Sequence, residues 1–291
     1  MENDRIVTSH ELQEELKLTA ESIFKVNTNM PSLDRILSGV EAGELIVVTG
    51  PTGGGKTTLL MSVTQNMAEN KIDTLWFTLE VTPRQFINKL TKRNSTLPLF
   101  YLPNKGYDDV NPEFLKWFEK EHRRPFAMID WVEVKIKEAI ARVKTDGREL
   151  KVVFIDHIHG IFSLARVERN ISLEIGDMVS KIKNIAIQHN LIIFLVAHCK
   201  DDPMGSTREP RKEDIRDSGL IIRVADSIVG VWRIPNGSDG TETRQKPINE
   251  GDNKAKVAVW KNRREGNLGF FTGYVKNHYF SEQQDNDWGG F

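Results

Sequence analysis

Eight consecutive residues, Gly50-Pro51-Thr52-Gly53-Gly54-Gly55-Lys56-Thr57, combine four glycines, one lysine and a hydroxyl at a spacing that suits polyphosphate chemistry. They fit the P-loop pattern G-x-x-x-x-G-K-[ST]. Glycines let successive backbone N–H groups curl around an anion, Lys56 can reach the β and γ phosphates, and the Thr57 hydroxyl can ligate Mg²⁺. The pattern needs a strand before it and a helix after it. Both are predicted here, from the apolar run Glu44-Leu45-Ile46-Val47-Val48 and from Thr58-Leu59-Leu60-Met61. A nucleoside triphosphate is the ligand this implies.

A P-loop needs a metal-holding acid, and Lys151-Val152-Val153-Phe154-Ile155-Asp156 supplies one at the end of an apolar strand. Asp156 is expected to hold the water shell of Mg²⁺ opposite Thr57. Two further polar residues close apolar strands: Glu80 after Thr74-Leu75-Trp76-Phe77-Thr78-Leu79, and His198 after Leu191 to Ala197. The carboxyl ends of parallel strands face the crevice where open α/β sheets bind ligands. There Glu80 could activate a water and His198 could sense a γ phosphate. For each the simpler alternative is a solvated or structural strand-end residue. His157 and His159 alternate around Ile158 without a third ligand and read as structural.

Composition narrows the setting. The 291 residues suffice for one large α/β domain with short appendages, and 40 Lys and Arg against 41 Asp and Glu exclude a global basic field. Any polyanion site must therefore be local. The single cysteine, Cys199, excludes an intramolecular disulfide and a multi-cysteine zinc site. No apolar run has the length of a membrane span, and the acidic start Met1-Glu2-Asn3-Asp4 resembles neither a signal nor a transit peptide. A cytoplasmic protein with no membrane partner is expected.

Between the motifs, Thr8 and Glu11 fit a capping box, opening a short helix with Leu12 and Leu16 on one side. Its partner is either its own domain or a neighbouring subunit. Asn111-Pro112 predicts a helix start, Phe126-Ala127-Met128-Ile129 a strand, and Val134 to Lys144 and Met178 to His189 helices. Lys200 to Asp214 and Asn236 to Asp252 read as loops, whereas Leu220 to Trp232 reads as helix then strand. One basic cluster, Lys254, Lys256, Lys261, Arg263 and Arg264, surrounds the strand Val257 to Trp260 without an acid of its own. It is either a solvated strand end or a phosphate contact, in cis or in trans.

The ordered series resembles the RecA-like motor domain of the DnaB-type, superfamily 4 hexameric replicative helicases, above all the helicase half of phage helicase-primases and of Twinkle. It consists of Gly55-Lys56-Thr57-Thr58, Phe77 to Glu80, Val153 to Ile158, Leu195 to His198, Asp214 to Gly219 with Ala225-Asp226, and Lys261-Asn262-Arg263. The resemblance implies a RecA-like P-loop NTPase core, a mostly parallel sheet flanked by helices, over residues 31–280. A helical arm over 1–30 and a flexible acidic tail over 281–291 are expected to flank it. Carried over, it makes Glu80 the catalytic base, His198 the γ-phosphate sensor, and Lys261 with Arg263 the pair reaching phosphates on an adjacent subunit. Arg233 and Tyr274 become the residues that sandwich the base. Lys200, Arg208, Arg211, Lys212, Ser218 and Gly219 fall in loops that line a channel for single-stranded DNA.

The implied activity is a hexameric or heptameric ring, driven by ATP, dTTP or dATP with Mg²⁺, that moves 5′ to 3′ along one strand and unwinds forked DNA. Two other classes share such a core: a RecA- or KaiC-like nucleotide-switched assembly, and a loader or scaffold without catalysis. No primase-like segment precedes the P-loop here, so a separate primase is expected. The tail ends in Trp288 and Phe291 among acids, which suits docking of its aromatic end on a basic surface. Similar tails of phage helicases contact replication partners, so a DNA polymerase is the expected partner.

Overall fold

The computed structural model describes residues 8–11, 24–78, 99–101, 104–106, 109–110, 125–158, 171–200, 209–216, 218–234 and 253–283. At the amino end Thr8 and Glu11 form the reciprocal capping box, with Thr8 N–H to Glu11 at 2.7 Å and Glu11 N–H to the Thr8 hydroxyl at 3.2 Å. Leu12 and Leu16 lie outside the described residues. A short pair, β1 (Lys25–Val26) with β2 (Val40–Glu41), brackets helix α1 (Pro31–Leu37). Residues assigned to the arm therefore join the core, because Val26 and Met30 are buried with α1.

The chain then alternates strand and helix. The elements are β3 (Leu45–Gly50), α2 (Lys56–Glu69), β4 (Asp73–Thr78), β5 (Leu99–Tyr101), a small pair β6 (Asn104–Gly106) and β7 (Asp109–Val110), and α3 (Pro125–Thr145). They continue with β8 (Leu150–Asp156), α4 (Ile171–Gln188), β9 (Ile192–His198), a 3₁₀ turn over Lys212–Asp214, α5 (Ser218–Val224), β10 (Ser227–Arg233), β11 (Lys254–Asn262), β12 (Gly269–Lys276) and β13 (Tyr279–Glu282). Nine strands form one sheet in the order β13-β12-β11-β10-β3-β9-β8-β4-β5. From β10 to β5 every pairing is parallel, and β11 to β13 append an antiparallel edge.

Strand alternation explains the two-sided core. Leu45, Val47, Phe77, Val153, Ile155, Ile193 and Leu195 face α3, α4 and α5, whereas Ile46, Val48, Trp76, Phe154, Phe194 and Val196 face α1 and α2. On the second face Trp76, Phe154 and Phe194 stack at 4.7 and 5.0 Å across three neighbouring strands. Trp76 also donates its indole N–H to the Thr64 hydroxyl of α2 at 2.9 Å. This bond fixes the P-loop helix on the sheet.

Two expectations are corrected. Residues 126–129 are not a strand but the first turns of α3. Their apolar run continues as Ile129, Val132, Ile136, Ala139 and Val143, all buried at helical spacing. Ser281 and Glu282 are not tail but the end of β13, where the Glu282 carboxylate accepts the Ser32 N–H of α1. Residues 111–124, 235–252 and 284–291 lie outside the described residues.

Candidate nucleotide-binding site

Strand β3, buried along its whole length, delivers the chain to Gly50 beside β10. Gly50 has φ +151°, and a Cβ there would lie 2.0 Å from the Val231 carbonyl oxygen. Gly54 would meet the same oxygen at 2.8 Å, while Gly53 and Gly55 have φ of +73° and +105°. The loop between β3 and α2 can be made only with glycine at these places. Pro51 and Thr52 are exposed at its crest, and Gly54 N–H returns to the Pro51 carbonyl. Lys56, buried at the start of α2, donates to the carbonyls of Gly50 at 2.9 Å and Pro51 at 3.0 Å. Its ammonium and the N–H groups of the first turn, which includes Thr57 and Thr58, share one concave anion site.

Asp156 ends β8 in register with Thr78 at the end of β4, and is 1% exposed. Its carboxylate accepts the Thr57 hydroxyl at 2.8 Å. One hydroxyl and one carboxylate oxygen beside a phosphate cradle are the donors a hard cation takes when phosphate and water complete its shell. Among the described residues no cluster of three or more His, Cys, Asp or Glu could hold a metal without such help. Glu80 follows Thr78 by two positions and lies outside the described residues.

On the other side of β3, His198 pairs with Gly50, so its ring stands level with the start of the P-loop. It meets His157 edge-on, with centroids 4.1 Å apart. Sequence alone reads His157 as structural, and nothing in its spacing announces this contact. The next residue, Cys199, places its sulfur 3.6 Å from the Thr49 hydroxyl. Burial pushes this thiol's pKa up, and the Thr49 hydrogen bond and the Lys56 charge only partly offset it.

The loop after His198 is closed at its base. Arg216 N–H donates to the His198 carbonyl at 2.9 Å, and Lys200 N–H to the Asp214 carbonyl at 2.7 Å, around a bridge between Cys199 and Ile215. Lys200, Arg211 and Lys212 project exposed from it, and Arg208 lies outside the described residues. Ser218 and Gly219 begin α5, with Gly219 exposed.

The same end of the sheet carries Arg233 and Tyr274. Arg233 Nε lies 3.8 Å from where a Gly55 Cβ would stand, and its guanidinium donates to the Asn253 carbonyl at 3.3 Å. Partial burial lowers its pKa. Arg233 pairs with Ala255 and Tyr274 with Lys254, which puts the two side chains two strands apart, about 10 Å. Tyr274 is 44% exposed.

Lys261 and Arg263 are elsewhere. Asp226 N–H donates to the Leu45 carbonyl and Arg263 N–H to the Asp226 carbonyl, so Arg263 stands level with the first residue of β3. Gly50 is five residues further along that strand, about 16 Å away. Lys261 caps α5, donating to the carbonyls of Ile222 at 2.6 Å, Arg223 at 3.3 Å and Ala225 at 2.5 Å. Burial and the Arg263 charge lower its pKa. Arg263 donates to the Arg223 carbonyl at 2.6 Å and to Asp226 at 3.3 Å, with its side chain 52% exposed.

The remaining basic residues of the cluster are less available. Lys256 pairs with Glu209 beneath Phe270, and Arg264 binds Glu41, Glu44 and the carbonyls of Leu37 and Gly39. The absence of acids within the cluster's own segment does not foretell acids brought from elsewhere.

The model of the DnaB-like helicase C-terminal domain matches residues 25–282. The chain belongs to that family. The replicative DNA helicase DnaB of Helicobacter pylori (strain ATCC 700392 / 26695) is 23% identical over 233 residues, covering 78% of this chain and 46% of the relative. The DnaB of Rickettsia conorii is 24% identical over 257 residues, covering 82% and 50%. The chain thus spans about half the length of these curated relatives.

Among solved structures, the ATPase domain of a phage helicase superposes with a TM-score of 0.66 at 16% identity, covering 96% of this chain and all of that one. A DnaB-like replicative helicase described with its interactions with primase gives 0.63 at 16%, covering 95% and 67%. The RecA-like fold of DnaB-family ATPase domains is therefore the fold of this chain. No helix among the described residues is long and apolar enough to cross a membrane.

Proposed function

We propose that this DnaB-family chain is the NTP-hydrolysing motor of a ring-shaped replicative DNA helicase. The observation that carries the reading is the separation of Arg263 from its own P-loop by about 16 Å of strand. An arginine side chain spans less than half of that, so a second copy must bring Arg263 to a phosphate. The Thr57–Asp156 pair beside Lys56 supports phosphate and Mg²⁺ binding within one chain. Mg²⁺, when held there, neutralises charge on the β and γ phosphates.

In this reading Lys56 holds the transferring phosphate, Glu80 deprotonates the attacking water, and Arg263 with Lys261 stabilises the charge that develops on the γ phosphoryl group of a neighbour. Arg233 and Tyr274 flank the base, which suits ATP, dTTP or dATP. His198 reports the γ phosphate to the loop whose base it closes. Lys200, Arg208, Arg211, Lys212, Ser218 and Gly219 meet the backbone of single-stranded DNA in a channel of six or seven subunits. Cytoplasmic replication is the setting, with a separate primase. Residues 284–291 carry the aromatic acidic end toward a polymerase.

Strand displacement on forked DNA, measured with each nucleotide beside native mass with and without it, tests the proposal. Nucleotide-dependent rings that displace a strand are expected. Rings that hydrolyse without displacing any strand would favour the nucleotide-switched assembly instead.

A further inference from the structure

Asp226 is buried at the turn between α5 and β10, and three separate elements meet on its carboxylate. Oδ2 accepts the N–H of Leu45, the first residue of β3, at 2.8 Å, and also the Lys183 ammonium of α4 at 2.5 Å. Lys183 in turn donates to the Gly43 carbonyl at 2.7 Å. Oδ1 accepts from Arg263 at 3.3 Å. Its backbone joins the same strands, through Leu45 on one side and Arg263 on the other. Helix α5 is locked to α4 beside it, since a Cβ on Gly176 would lie 2.0 Å from Leu220.

We propose that Asp226 is the positioning residue for Arg263, fixing the guanidinium that a subunit offers to its neighbour relative to the strand carrying its own P-loop. This rests on the reading of Arg263 as acting in trans. A half-exposed guanidinium loses rotamer freedom when it docks, and a buried carboxylate already held by Leu45 and Lys183 removes part of that loss beforehand. The second bond, to the Arg223 carbonyl, sets the plane of the group. Because Oδ2 is bonded to β3, the carboxylate and the guanidinium move with that strand.

Asp226→Asn cannot satisfy Leu45, Lys183 and Arg263 together, because an amide has only one acceptor oxygen. The test places this change on one side of a shared site. Lys56→Ala subunits have a dead P-loop and an intact Arg263, and Arg263→Ala subunits have the reverse. A control mixture of the two, with mixed rings verified by native mass, has competent sites only where Arg263 comes from a Lys56→Ala subunit.

Adding Asp226→Asn to the Lys56→Ala subunit is expected to lower turnover on the order of tenfold against the control, with nucleotide KM unchanged. Adding it to the Arg263→Ala subunit is expected to leave turnover within about twofold, since the Asp226 beside the working arginine is intact. An equal fall in both mixtures, a fall only in the second, or exclusion of Asp226→Asn subunits from rings would make Asp226 a structural residue and overturn the proposal. A control mixture with no activity would overturn action in trans, and the positioning role with it.

Discussion

The two ends of the parallel sheet are built from opposite materials. At the carboxyl end, glycines, a helix start and the Thr57–Asp156 pair form a cradle of donors that one chain completes by itself. At the amino end stand cations, Lys261, Arg263 and Lys183, whose partners are the carbonyls of α5 and Gly43 and the carboxylate of Asp226. The first end has a place for a polyphosphate, beyond the reach of the Arg263 of its own chain. The second has that half-exposed arginine and no P-loop. Each end supplies what the other lacks, which makes the competent site a property of two chains.

The largest effects should come from the residues that define each end. Lys56→Ala removes the ammonium from the cradle and is expected to abolish hydrolysis, by ~10³-fold or more in kcat. Arg263→Ala is expected to cost as much in kcat, yet leave nucleotide affinity of the isolated protomer intact, since the group lies at the far end of its own sheet. A matching loss of affinity, measured with a fluorescent nucleotide, would erase the distinction between the ends.

A smaller effect concerns the loop that His198 closes. Arg211→Ala with Lys212→Ala is expected to weaken single-stranded DNA binding alike for all sequences. It should reduce the salt slope of log K by about 1.4, two contacts at ~0.7 each. A loss confined to some sequences would indicate base readout.

Smaller still is the effect at the structural arginine beside Arg263. Arg264→Ala strands Glu41, Glu44 and two carbonyls, and is expected to lower stability by about 2 kcal/mol in thermal melts while leaving protomer nucleotide affinity unchanged. The smallest is chemical. With its pKa raised by burial, Cys199 is expected to react with iodoacetamide more slowly at neutral pH than a free thiol, and faster as pH rises.

The cradle is legible in the sequence because it is local. Gly50 to Thr57 are contiguous, and Asp156 closes a run of β-branched and aromatic residues that can only be a buried strand. The amino end is not legible, because its bonds join residues far apart: Asp226 meets Leu45 across 181 positions and Lys183 across 43. Lys261 is held by backbone carbonyls, and these leave no trace in residue identity. The strand expected at Phe126 to Ile129 fails for a third reason. Four apolar residues fit either element, and only the helical spacing of Ile129 through Val143 decides between them.

The claim that one competent site needs two chains is tested most directly by mixing. Glu80→Gln subunits and Arg263→Ala subunits are each expected to be inactive alone while binding nucleotide. Mixed rings place an intact Glu80 beside an intact Arg263 at some interfaces, so hydrolysis should return in part, with a maximum at intermediate ratios. Mixed rings verified by native mass that recover no hydrolysis at any ratio would contradict the account.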